Sequence, residues 1–122
     1  MANPSTTGPS GIGSEVLRRV AFDGVNGTSA NQVLLTVGTD MIITVLSICM
    51  TECSNTAGKT ITIYAEPDGS GTNYITRSQD IPALGTFVWN EKIVLTETDV
   101  LSVGSDSTNY DVWCSYIEQE FE

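Results

Sequence analysis

Histidine is absent from the 122 residues, and only five are lysine or arginine. Without histidine there is no Ser-His-Asp triad, no Cys-His pair and no usual zinc-water site. Carboxylate pairs remain, but a glycosidase pair must face across a cleft. Glu91, Glu97, Asp99, Asp106 and Asp111 lie in or beside strands and turns, where a solvated acidic face is the simpler expectation. No catalytic residue, metal or cofactor is therefore expected, and the chain is not expected to be an enzyme.

The shortage of basic residues excludes more. Fifteen acidic against five basic residues give a formal charge of −10. Phosphate contacts draw on Lys and Arg, so neither nucleic acid nor an anionic membrane surface is an expected partner. Four carboxylates precede Glu66 and eleven lie from Glu66 onward, so any docking on a basic protein surface would fall to the C-terminal half. Otherwise the charge simply keeps a folded domain soluble. No apolar run approaches the roughly 20 residues of a membrane span; the longest, residues 41–50, is interrupted by Thr44 and Ser47. Met1-Ala2-Asn3-Pro4-Ser5 has neither the basic start nor the apolar core of a secretion signal.

Cysteine is also scarce. Three is an odd count at low density, which is no disulfide scaffold. Cys49 and Cys53 on one extended strand would sit about 13 Å apart, too far to bridge. Reduced thiols are the expectation, with a bond from either to Cys114 left open if their strands are neighbours. Asp68-Gly69-Ser70-Gly71-Thr72-Asn73 is rich in oxygen but holds one carboxylate, so a hairpin turn explains it better than a calcium loop.

What is present reads as β-structure. Thr, Val and Ile abound, with 11 Gly among them, and no segment sustains helical apolar spacing. Strands are expected at residues 16–22, 33–37, 41–51, 60–65, 73–80, 87–95, 100–103 and 110–118, each bounded by turn residues such as Asp23-Gly24 or Gly38-Thr39-Asp40. Val33, Leu35 and Val37 share one face of the second. The third is apolar on both faces, as a central strand requires. The fifth is the most polar and belongs at an edge. Leu46, Ile48, Ile61, Ile63, Ile93, Leu95, Leu101 and Val112 are expected in the core. Eight short strands imply an all-β chain: a single antiparallel β-sandwich or jelly-roll-like domain over residues 15–122.

Residues 1–14, MANPSTTGPSGIGS, read as an extended arm. Pro4 and Pro9 keep it out of helices and central strands. Ordering a backbone residue costs about 1–2 kcal/mol, and Ile12, its one large apolar group, offsets little of that. A neighbouring chain is therefore expected to hold it. Trp89 and Trp113 join Pro4, Pro9 and Ile12 as candidate assembly-interface residues. Each Trp either packs in the core, anchors a protein contact or stacks on a sugar; apolar same-face neighbours favour the core.

Three stretches carry a resemblance: MIITVLSICMTE, KTITIYAEPDGSGTNYI and PALGTFVWNEKIVLTETDVLSVGSDSTNYDVWCSYIEQE. Within the last, Ile93-Val94-Leu95 is followed by Glu97-Thr98-Asp99, a short strand, a polar turn and a closing strand ending in Glu. Over residues 33–120 the chain resembles small β-sandwich virion proteins of tailed bacteriophages. The resemblance implies a non-enzymatic structural protein, most of all a capsid decoration or cement protein. It implies a homo-oligomer, often a trimer, docked on the major capsid protein or tail components, made in the bacterial host cytoplasm and resident in the virion. A neck, tail or fibre component is the alternative, and a carbohydrate-binding host-attachment module is a further one. The arm is not part of the resemblance.

Overall fold

The computed structural model describes residues 15–121. The expected arm, with Pro4, Pro9 and Ile12, lies outside the described residues. Nine strands follow in order: β1 (Glu15–Val25), β2 (Gln32–Thr36), β3 (Met41–Glu52), β4 (Lys59–Glu66), β5 (Asn73–Ile81), β6 (Thr86–Trp89), β7 (Ile93–Leu95), β8 (Val100–Ser105) and β9 (Tyr110–Glu120). One sheet has the order β1-β9-β3-β6, with β7 also paired to β3, and the other the order β2-β8-β4-β5. Every pairing is antiparallel. The chain crosses repeatedly between two packed sheets, with β4 and β5 in one and β6 and β7 in the other, so the architecture is the all-β sandwich that the period-2 pattern implies.

One expected strand becomes two. Residues 87–95 read as a single alternating run, but Asn90, Glu91 and Lys92 carry no ladder, and β6 and β7 pair with different stretches of β3. Three consecutive exposed polar side chains are better served by water than by a pleat. β3 is central, held by β9 on one side and by β6 and β7 on the other, and β5 is an edge.

Inward residues of both sheets meet in one core. Val45, Ile48, Met50, Ile61, Ile63, Leu101, Val103 and Cys114 are sealed within it. Six of the eight expected core residues are buried; Leu46 and Ile93 are half-buried. Leu46 is the unpaired residue of a bulge between Val45 and Ser47. A bulge sets one extra residue outside the alternation, and this one takes Leu46 off the core face. A second bulge, between Val33 and Leu35 of β2, turns Val33 outward and buries Leu34 instead.

The loops are fastened by carboxylates. Buried Glu52 accepts hydrogen bonds from the Ser54 N–H at 2.8 Å, the Leu84 N–H at 3.0 Å, the Ser107 hydroxyl at 2.8 Å and the Ser54 hydroxyl. These donors, the Ser54 hydroxyl foremost, hold its carboxyl down at about 2 against burial, which alone would raise it. Asp99 accepts from the Thr96 and Asp68 N–H groups, and these bonds outweigh its burial and lower its pKa. Asp106 takes the Thr60 N–H, Asp111 the Gly24 N–H and Glu97 the Asp40 N–H. Four of the five residues expected to form a solvated acidic face, Glu97, Asp99, Asp106 and Asp111, thus clamp loops to strand ends. Gly27 closes the same end: its N–H donates to the Ser107 carbonyl at 2.9 Å, and a Cβ there would sit 1.9 Å from the Ser105 carbonyl oxygen.

Candidate assembly face

The pleat decides what each sheet shows to solvent. On the first sheet, cross-strand register lines up outward residues in rows. One row runs Ala21, Trp113, Cys49, Val88 across β1, β9, β3 and β6. Another runs Leu17, Ile117, Thr44, Val94, ending on β7. Between them lie Arg19, Ser115 and Ser47. In a chain of formal charge −10, these three rows hold no carboxylate and one cation. That cation, Arg19, lies over the Trp113 ring at 4.8 Å, so its charge is spread against an aromatic face. Trp113, Val88 and Val94 are 48%, 51% and 63% exposed. Exposed apolar side chains gathered on one sheet face make it a candidate interaction surface.

The two tryptophans divide. Trp89 points inward from β6 opposite Ile48 and packs on the core. Trp113 points outward from β9. The core was the favoured place for Trp113 too, but it is 48% exposed: it alternates with the inward Tyr110, Val112, Cys114 and Tyr116 and so shares the outer side with Asp111, Ser115 and Ile117. The inward set follows that division: Tyr110, Val112 and Cys114 are buried and Tyr116 packs against them.

All three cysteines are free thiols. Cys114 is buried and its thiol is pushed up to about 12, chiefly by desolvation. Cys49 sits half-buried in the row with Trp113. At the far end, Arg18 and Glu118 form an ion pair at 3.0 Å between β1 and β9. Among the described residues, no helix is long and apolar enough to cross a membrane.

The fold defines a β-sandwich class rather than a chemistry. No family model matches the sequence, and no curated protein sequence matches it. Solved structures do share the fold. One is a chain of the acid-stable capsid of Helicobacter pylori bacteriophage KHP30: TM-score 0.52, 11% identity, covering 90% of this chain and 97% of that one. Another is from Bacillus endospore appendages, a family of disulfide-linked pili: TM-score 0.50, 11% identity, covering 97% of this chain and 98% of that one.

Proposed function

We propose that the chain is a non-enzymatic structural subunit of a bacteriophage virion, a capsid decoration or cement protein that oligomerises and docks on the shell. The observation that carries this reading is the outer face of the first sheet, where the three middle rows, with Ala, Leu, Ile, Val and Trp side chains, hold no carboxylate, and the acidic Glu15 and Asp111 lie in the rows beyond them. Such a face loses little on desolvation and meets little like-charge repulsion when copies approach. The capsid chain of similar fold supports the virion reading. Residues 1–14 are proposed to dock on a neighbouring chain. The pilus of similar fold favours one second reading, a subunit of a tail or fibre built by linear stacking.

Immunogold labelling of particles released from the producing host tests the reading. Label spread over the capsid supports decoration, and label confined to the tail or fibres supports the second reading. Label absent from purified particles contradicts both.

A further inference from the structure

The second sheet carries an open groove of about 750 Å³ on its outer face, away from the assembly face. Tyr64 of β4 and Tyr74 of β5 stand opposite each other in register, with ring centroids 6.2 Å apart and planes inclined by 56°. Tyr74 is 49% exposed, and the Arg77 guanidinium lies 4.5 Å over its ring. The floor is made by glycine. Gly104 of β8 leaves room for the Asn31 side chain, and a Cβ at 104 would stand 2.4 Å from the Asn31 Oδ1. Asn31 Nδ2 donates to the Tyr64 hydroxyl at 3.1 Å, which fixes that ring and leaves its O–H proton free to be donated. The rim is bent on purpose by the edge strand. Register shifts flank Ile63, and Ser78 adopts φ 53 with its N–H taken by the Thr62 hydroxyl at 3.0 Å. A bulge beside a groove re-aims side chains, and here Arg77 and Tyr74 both come to line it.

We propose that this groove binds a neutral saccharide. Apolar C–H faces of a sugar ring lie against tyrosine rings, and hydroxyls pair with a guanidinium, amides and carboxylates. The lining offers that mixture: two tyrosines, Arg77, Asn31, and the acidic Glu66 and Asp106 at its ends. Two carboxylates against one cation disfavour a sulfated or phosphorylated ligand. The hydroxyl, tyrosine and backbone groups are already in place, so little ordering is needed on binding. The inference stands apart from the assembly reading, because the residues concerned lie on the other sheet.

The test is saturation-transfer and amide-shift NMR on the full chain with three probes: maltohexaose, mannohexaose and chitohexaose. At least one is expected to bind saturably, with shifts centred on residues 64, 74, 77 and 104. Tyr74→Ala and Arg77→Ala should each weaken that binding by about fivefold or more, since one removes a ring face and the other a charged donor from the groove. Both side chains are exposed on an edge strand, so unfolding temperature should be unchanged and the loss is read as binding alone. Tyr64→Phe, which removes only the hydroxyl, should weaken binding less than Tyr74→Ala. No saturable binding to any of the three overturns the proposal. So does binding that both alanine variants leave intact, or binding whose shifts lie away from residues 64, 74, 77 and 104. Substitutions at Trp113 should leave saccharide binding unchanged, so that failure here and failure of the assembly reading are told apart.

Discussion

The two sheets share a core and differ outside it. The first turns rows of small and apolar side chains to solvent, with no carboxylate within them. The second turns out Thr60, Thr62, Tyr64, Tyr74 and Arg77 around a groove. Both faces obey the same inward alternation, so folding does not force the difference. Rows of apolar and small side chains suit another protein surface, and a polar, concave groove suits a small ligand. One sandwich can therefore hold two surfaces whose requirements conflict, because the pleat keeps them on opposite sides.

The largest expected effect removes the comparison by removing the core both sheets share. Ile63→Ala at a fully buried site should cost about 2–5 kcal/mol and melt both sheets together. Circular dichroism and tryptophan fluorescence should then report one transition, and two separated transitions would mean the sheets are not one cooperative unit. Next comes acid. The Glu52 carboxyl is lowered from 4.5 to about 2 in the folded chain, so the unfolded chain binds the extra proton as pH falls. Its contribution is complete above pH 4.5 and is lost between there and about 2. Unfolding temperature should hold steady from neutrality to about pH 5 and then drop, and Glu52→Gln should lower it at pH 7 and flatten the acid drop. An unchanged acid profile in that variant would mean the loops are held by something else.

Leu46→Ala should cost clearly less than Ile63→Ala, because the bulge leaves Leu46 half outside the core. Equal costs in urea unfolding would place Leu46 in the core after all. Deleting residues 2–13 is expected to leave the unfolding temperature within a few degrees of wild type while lowering attachment to particles. Attachment unchanged by the deletion would remove the arm from the assembly. Smallest of all on stability is Trp113→Ser with Val88→Ser and Val94→Ser, about 0.5 kcal/mol or less per site, since these side chains already face water.

Strand positions were legible because alternation repeats every two residues wherever one face is buried. The edge position of β5 was legible from its Thr, Arg, Ser, Gln and Asp. Bulges were not. The extra residues at Leu34 and Leu46 are apolar, so a run such as LLTV or VLS reads as continuous strand with or without them. The break at Asn90-Glu91-Lys92 was hidden by Glu91 falling on the beat of Phe87, Trp89, Ile93 and Leu95. Glu52 was illegible as a clamp because its partners Leu84 and Ser107 are 32 and 55 residues away. Trp113 could be sorted from the core only by the polar company of Asp111 and Ser115. The tyrosine groove needed register between β4 and β5, which no single segment carries.

The most direct test of the central claim compares the two faces in one measurement. Purified particles stripped of the chain are re-incubated with wild type, with the Trp113, Val88, Val94 triple serine variant, and with Tyr74→Ala combined with Arg77→Ala. Occupancy is then counted by quantitative mass spectrometry of the pelleted particles. The first-sheet variant should lose at least tenfold in apparent affinity, about 1.4 kcal/mol, and the second-sheet variant should match wild type. Wild-type occupancy by the first-sheet variant, or loss confined to the second-sheet variant, would contradict the assignment of assembly to the outer face of the first sheet.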